Sequence, residues 1–198
     1  MENENKEEKV YFTYGMIKPD GMPHIKEILE SIYDAGLYVV YSKVDTLDEN
    51  VIEENYSHCI GKDFYEGMKE NLLSGYVLKM LILDPKGDAV RNYRKVLGAT
   101  KPWEAEPNTI RGTFGDKKIA YKNVAHGSGN AKEAEDEIIR FFRGDLNNVF
   151  ESVLNYGSYL AMSEFIKSNI NDSTIVNKAF RDADVNAILD NYSKKLEK

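Results

Sequence analysis

The sequence predicts an α+β sandwich of the ferredoxin-like type, in which a four-stranded antiparallel sheet carries helices. Segments typical of strands alternate with amphipathic segments in the order β-α-β, β-α-β, with extra helices inserted between them. Hydrophobic residues make up 42% of the 198 residues and charged residues 30%, a balance that permits a packed core. A small doubly wound sheet would fit the same alternation.

Four apolar segments are typical of strands, and turn signals or glycines separate them. They span residues 10–17, 37–44, 76–83 and 123–125. The first ends at Lys18-Pro19-Asp20-Gly21, where proline fixes φ and glycine accepts unusual backbone angles. The third is almost entirely apolar, which predicts a central place in the sheet.

The helices are predicted from apolar spacing and from their end signals. Residues 26–35 place Ile28, Leu29 and Ile32 on one face and stop at Gly36. Asp48 begins a second helix, and Asn130 with Glu133 fits a reciprocal N-cap. The other helices are predicted at residues 64–73 and 88–97, and the helix after Asn130 continues to Phe142.

Residues 99–118 carry two prolines and two glycines and show little periodicity. A loop of about 20 residues inside a compact domain is usually functional or disordered. We therefore predict that this loop contributes to a site.

The two ends differ from the centre. Residues 1–9 are rich in Glu, Asn and Lys without an apolar segment, which predicts a disordered charged tail and no signal or transit peptide. Residues 10–143 form the predicted domain of strands and helices, and residues 144–198 form a predicted helical extension.

Helical spacing continues through the extension, with a second helical stretch after Gly157-Ser158, a turn at 171–173 and a final helix. Its apolar positions are Leu146, Val149, Phe150, Val153 and Leu154, then Val185, Ile188, Leu189 and Tyr192. Exposed together, the first five would form a sizeable patch, so we expect them to pack on the core or on a neighbouring protomer.

Charge and cysteine content exclude several classes of function. A net charge of -7 disfavours general binding to nucleic acid or to anionic membranes, because phosphate groups favour excess Lys and Arg. No apolar run approaches the ~20 residues of a membrane helix. Cys59 is the sole cysteine, so no internal disulfide forms, which suits a reducing, cytoplasmic location.

His126 is the candidate nucleophile. It follows the short strand segment and is flanked by small residues, so the prediction places it where a strand passes into a helix. A neutral imidazole can attack phosphorus and form a covalent intermediate. Ser128 and Glu137 are near enough in the chain to orient the ring. A solvated loop histidine is the alternative interpretation.

Cations at the breaks between elements suit a phosphate site, since phosphoryl transfer needs donors that spread developing charge. The candidates are Lys18, Arg94, Thr100 and Arg111. Phe64 could stack on a base, or it could anchor the core. The chain has no Walker-type loop, no HExxH sequence and no cysteine pair, so no protein-held metal is predicted.

Four motifs in order resemble those of nucleoside diphosphate kinases, over about residues 10–142. They are Met16-Ile17-Lys18-Pro19-Asp20-Gly21, Leu97-Gly98-Ala99-Thr100 with Pro102, Thr109-Ile110-Arg111-Gly112, and Asn123-Val124-Ala125-His126-Gly127-Ser128. The resemblance implies the ferredoxin-like sandwich and a ping-pong transfer of γ-phosphate from an NTP, typically ATP, to an NDP.

The resemblance also implies a role for each matching residue. His126 would become a phosphohistidine, with Ser128 and Glu137 grouped around it. The phosphates would be held by Lys18, Tyr56, Arg94, Thr100 and Arg111. Lys18 and Asn123 would reach the sugar hydroxyls, and Phe64 would stack on the base beside Met68. Magnesium would arrive mainly on the nucleotide phosphates, and the protein would form a homo-oligomer.

Several positions depart from the family pattern. The turn at 22–25 is about two residues shorter than is usual in the family, the segment 114–123 is about two residues longer, and Lys101, Thr113 and Gly129 replace the usual residues. A catalytically weak, kinase-like nucleotide-binding or protein-interaction module is the alternative function. Because His126, Arg94 and Arg111 are all present, the enzyme is favoured.

Overall fold

A computed structural model describes residues 9–169 and 173–197 of the chain. Residues 1–8 of the predicted disordered tail and residues 171 and 172 of the predicted turn lie outside the described residues. The side chains of residues 158–181 also lie outside them, together with those of residues 183 and 198.

The sheet contains four strands in the spatial order β2-β3-β1-β4. They are β1 (Phe12–Ile17), β2 (Tyr38–Asp45), β3 (Val77–Leu83) and β4 (Ala125–Gly127). Every neighbouring pair is antiparallel, which confirms the ferredoxin-like sandwich and shows that the doubly wound alternative is wrong. β3 is buried along its whole length between β2 and β1, as its apolar sequence predicted.

Eight helices are described, with short 3-10 turns at Pro19–His24 and Ser57–Cys59. They are α1 (Ile25–Asp34), α2 (Glu49–Asn55), α3 (Tyr65–Leu73), α4 (Ala89–Leu97), α5 (Ile110–Phe114), α6 (Ala131–Phe141), α7 (Leu146–Asn169) and α8 (Ser173–Leu196). The two predicted N-caps are present, because Asp48 accepts from the Val51 N–H and Asn130 from the Glu133 N–H.

Both faces of the sheet are covered, because successive side chains of a strand point to opposite faces. On β1, Ile17 faces a core shared with α1, α4 and α8, whereas Met16 faces a core shared with α2, α3, α6 and α7. Tyr14 lies in the second core and stacks on Phe141 with ring centroids 4.5 Å apart.

Three local predictions are corrected. The predicted loop at 99–118 contains α5, which Thr109 caps by accepting from the Gly112 N–H. α7 runs on through Gly157, so the predicted break is absent. Glu133 accepts from the Gly129 N–H rather than returning to the Asn130 N–H, so the N-cap is not reciprocal.

α7 and α8 pack on opposite faces of the sheet beside its edge strand β2. Val149 is buried against the α6 side, and Val185 and Ile188 are buried against the α1 side. Within the single chain, Phe150 is 66% exposed and Leu154 is 71% exposed, so the core covers only part of the predicted apolar set. Packing of the two exposed residues on a neighbouring protomer stays a prediction. Both lie on the face of α7 that turns away from the sheet.

None of the described helices combines the length and apolar character needed to cross a bilayer.

Candidate active site

His126 is the middle residue of β4 and pairs with Met16 of β1, so the prediction that the strand ends before it is wrong. Gly127 is the last residue of this strand. A Cβ placed there would lie 2.7 Å from the Tyr93 ring, so only glycine lets the strand approach α4 this closely. The histidine is therefore held by a sheet rather than by a flexible loop.

The backbone before His126 is held in an uncommon conformation. Val124 has φ of 60°, a region that a β-branched residue rarely enters, and the Ala125 N–H donates to the Asn123 carbonyl at 2.7 Å. The Asp20 carboxylate accepts from the Val124 N–H at 2.9 Å. Arg111 donates to the Ala125 carbonyl at 3.0 Å. Side chains distant in sequence thus fix the turn that leads into the histidine.

The two imidazole nitrogens of His126 have different partners. Nε2 lies 2.8 Å from Oε1 of Glu137, and Nδ1 lies 3.3 Å from the Tyr56 hydroxyl. Because a carboxylate only accepts, Nε2 is assigned the proton and donates it to Glu137. Nδ1 then carries the lone pair and accepts from Tyr56. The nitrogen that can act as a nucleophile is therefore Nδ1.

Glu137 is 1% exposed and is surrounded by donors. Ser128 donates to Oε2 at 2.6 Å, and Asn55 donates to Oε1 at 3.0 Å. Burial alone would raise the pKa of Glu137, but the hydrogen bonds and charge of His126, with those from Ser128 and Asn55, hold this pKa below its usual value. The carboxylate therefore stays ionised behind the histidine at neutral pH.

The sequence analysis missed Asn55. Its Oδ1 accepts from Nη1 of Arg140 at 2.7 Å, and Arg140 also pairs with Glu54, with Nε and Oε1 3.1 Å apart. The one available signal was that Asn55 directly precedes Tyr56 at the end of α2. Its contact with Glu137 spans 82 positions, which local pattern does not show.

In front of His126 lies a cleft of about 500 Å³. The predicted phosphate, sugar and base residues all line it, and Ser128 and Glu137 support the histidine from behind. The lining set is Lys18, Tyr56, Phe64, Met68, Arg94, Thr100, Arg111 and Asn123. Their individual roles remain predictions.

Two of the cleft cations are deeply buried. Burial lowers the pKa of Lys18 to about 8, with Arg111 adding to the effect and Asp20 opposing it. Burial also lowers the pKa of Arg111 to about 10. Lys18 donates to the Tyr121 carbonyl, and Asn123 donates to the Thr100 carbonyl at 2.9 Å. The cleft is thus a desolvated cationic site that an anion would stabilise.

The other end of the cleft is apolar. Phe64 lies there just before α3, 40% exposed, above the buried Met68 and Leu72. Ala120 and Tyr121 also line this end, in the longer segment where the sequence analysis placed no residue. Such a flat, partly open apolar slot suits an aromatic ring.

The described residues contain no group of three or more His, Cys, Asp or Glu that could hold a metal ion. Glu133 is the one carboxylate that lines the cleft, and its Oε2 is already bonded to the Gly129 N–H.

On this ferredoxin-like sandwich, a histidine lies in a cationic cleft with a buried carboxylate behind it. This combination is typical of a phosphotransferase. Residues 12–146 match the family model described as nucleoside diphosphate kinase. The nucleoside diphosphate kinase of Listeria monocytogenes serotype 4a is 37% identical over 132 residues, which cover 66% of this chain and 87% of that protein.

Solved structures agree. The apo nucleoside diphosphate kinase of Encephalitozoon cuniculi superposes with a TM-score of 0.61 at 35% identity, covering 66% of this chain and 88% of that one. A nucleoside diphosphate kinase from Halobacterium salinarum in complex with CDP superposes with a TM-score of 0.61 at 32% identity, covering 66% and 86%. The chain belongs to the nucleoside diphosphate kinase family, and it is a nucleotide-binding phosphotransferase.

Proposed function

We propose that the protein moves the γ-phosphate of an NTP, typically ATP, to an NDP in two half-reactions through a phosphohistidine on His126. The observation that carries the proposal is the division of the imidazole nitrogens: Nε2 donates to the buried Glu137, while Nδ1 lies in the cleft beside Tyr56. This arrangement leaves Nδ1 unprotonated, so attack needs no separate base once the Tyr56 hydroxyl turns from Nδ1 to the incoming phosphate.

In the first half-reaction, the Nδ1 lone pair forms a bond to the γ-phosphorus. The bond from that phosphorus to the β–γ bridging oxygen breaks, and its electron pair leaves with the NDP. The Nε2 proton stays on the ring, where Glu137 stabilises the positive charge that the phosphorylated imidazole acquires. In the second half-reaction, a phosphate oxygen of a different NDP attacks the phosphohistidine and regenerates Nδ1.

The cleft cations support phosphate binding. Lys18 and Arg111 are buried at positive charge, and Arg94 is exposed at the cleft wall, so a nucleotide's phosphates would meet three donors with little intervening water. Preorganised charges of this kind act most strongly on the charge that develops during transfer. Tyr56 and Thr100 add hydroxyl groups on the same wall.

Sugar and base would occupy the opposite end. Lys18 and Asn123 also line the cleft and are assigned the sugar hydroxyls. Phe64 is assigned the base by stacking, beside Met68. Stacking uses the π face that all bases share, so the proposal includes a broad choice of base.

Magnesium enters the proposal as part of the substrate, carried mainly by the nucleotide phosphates. The cleft fits this, because its lining is rich in cations and its one lining carboxylate is engaged by the Gly129 N–H. A bound magnesium ion would neutralise charge on the transferring phosphates.

Assembly, location and domain organisation remain proposals. We assign residues 10–143 to catalysis and residues 144–198 to stability and assembly. Self-association into a homo-oligomer is supported by Phe150 and Leu154, which are exposed one turn apart on α7. A cytoplasmic location is supported by Cys59, which is buried as a free thiol.

The test is incubation with ATP labelled at the γ-phosphate, followed by acid or base treatment and by addition of an unlabelled NDP. We expect a base-stable, acid-labile label on the protein that moves to the NDP. His126→Ala should lose the label, while His58→Ala should keep it, because His58 also lines the cleft but lacks the Glu137 contact. Nucleotide binding without any label would contradict the proposal.

A further inference from the structure

Asn55 lines the cleft and contacts the carboxylate that supports His126, and Arg140 contacts Asn55 in turn. We propose that Asn55, oriented by Arg140, is a positioning residue that holds Glu137 against His126 and thereby sets the rate of phosphoryl transfer. This inference rests on the proposed function, since it concerns the same histidine.

The orientation of the Asn55 amide follows from its two neighbours. Arg140 can only donate, and ionised Glu137 can only accept. The amide oxygen must therefore face Arg140 at 2.7 Å, and the amide nitrogen must face Glu137 at 3.0 Å. The opposite orientation would leave both contacts repulsive. Arg140 thus decides that Asn55 presents a donor to the carboxylate.

Asn55 bonds the same carboxylate oxygen that accepts from His126. Oε1 of Glu137 lies 2.8 Å from Nε2 of the histidine and 3.0 Å from Nδ2 of Asn55. Ser128 fixes the other oxygen. His126 of β4 and Ser128 just after it therefore donate from one segment, while Asn55 reaches Glu137 from α2. Without Asn55, the carboxylate keeps one anchor apart from the histidine itself.

Asn55 also acts on the charge of Glu137. It shares Oε1 with His126, and its hydrogen bond helps to hold the pKa of Glu137 below the usual value. The other titratable groups that face Glu137 are Tyr14 from β1 and Tyr56 at the end of α2. Arg140 reaches Glu137 through Asn55, and its charge is paired with Glu54.

The test uses the full-length protein and single-turnover phosphorylation by ATP–Mg. Asn55→Leu should slow phosphorylation of His126 about tenfold, the value of one hydrogen bond to a charged group. Its ATP affinity should stay within about twofold, because Asn55 is proposed to act on the transfer step and not on binding of the nucleotide. The matched control is Asn92→Leu. It removes a hydrogen bond of 2.7 Å from the Asn92 amide to the buried carboxylate of Asp84, away from His126.

Asn55→Asp is a second variant, which keeps the side-chain size and the contact with Arg140. It places a carboxylate against Glu137 and adds negative charge beside the imidazole. This charge favours the doubly protonated ring, which lacks a lone pair, so the acid limb of the pH–rate profile should move to higher pH. An unmoved acid limb would show that residue 55 is not coupled to the imidazole through Glu137.

Arg140→Leu completes a double-mutant cycle. Because Arg140 acts through Asn55, its replacement should slow phosphorylation in the wild-type background and have no further effect in Asn55→Leu. Additive losses would contradict the proposed order of action. Unchanged phosphorylation rates in Asn55→Leu and an unmoved pH profile in Asn55→Asp would overturn the positioning role alone. Absence of phosphohistidine in the wild type would instead overturn the proposed function.

Discussion

Lys18 is a buried cation, and burial disfavours its protonated form. Its side chain is buried at the end of β1, and burial lowers its pKa to about 8. Since this value lies below the 10.5 of an unfolded lysine, Lys18 destabilises the empty fold in full below pH 8, and the cost falls as pH rises from about 8 to 10.5. A phosphate group nearby favours the charged form and reverses the effect.

Nucleotide affinity should therefore fall as pH rises through about 8, because Lys18 loses its proton in the free protein. Lys18→Arg retains the charge, so its affinity should change little over the same range even if it is weaker at pH 7. Calorimetric titration with ADP from pH 7 to 9.5 measures this. Identical pH dependence in the two proteins would remove Lys18 from the phosphate site.

Tyr14 is fully buried, and its hydroxyl has no hydrogen-bond partner among the described residues. A buried unpaired hydroxyl costs stability. Tyr14→Phe should stabilise the fold by about 1 kcal/mol, which corresponds to a rise of about 2–4 °C in Tm. Tyr93→Phe is the control, because the Tyr93 hydroxyl donates to the His126 carbonyl at 3.4 Å. Equal gains from both variants would refute the explanation.

At the level of single elements, the helix caps were the most predictable features. Asp48 caps α2 through the Val51 N–H at 2.9 Å. Asp48→Ala should cost about 1 kcal/mol of unfolding free energy, and Asp48→Ser should retain most of it, because serine also accepts. Urea denaturation measures the free energy of unfolding of the two variants. A serine variant as unstable as the alanine variant would show that capping is not the cause.

β4 and α5 were less predictable for a physical reason. Both contain glycines that local pattern treats as breakers, and each glycine is needed for a close approach to another segment. Gly127 permits contact with Tyr93, and Gly112 packs against the backbone of Glu106, where a Cβ would lie 1.9 Å from the carbonyl oxygen. The residues of the cleft were predicted from motifs, whereas Asn55 and Arg140 required the fold that joins α2 to α6.

For the whole molecule, the main addition to the sequence prediction is the position of the last two helices. α7 and α8 flank the edge strand β2 from opposite faces, and Lys43 on β2 pairs with Asp145 just before α7. Helical spacing predicted these helices, but not their location. Contact with both faces of the sheet beside β2 fits the stabilising role proposed for the extension.

Removing residues 144–198 should lower stability and change the oligomer size, because these residues are assigned to stability and assembly. Val185 and Ile188 are buried on the α1 side, and burial of each such side chain contributes about 1.5–3 kcal/mol. A chain ending at residue 169 is the matched control, since it keeps α7 and loses α8. Thermal melts and light scattering should show an intermediate loss for it. Unaltered melting and mass in both truncations would contradict the structural role.

The central claim is that Nδ1 of His126 accepts the phosphate because Glu137 holds Nε2. Phosphorus NMR of the base-denatured phosphoenzyme, compared with free Nδ1- and Nε2-phosphohistidine, identifies the nitrogen directly. We expect the Nδ1 isomer on His126 and no signal from His126→Ala. Phosphate on Nε2, or on any other residue, would contradict the account.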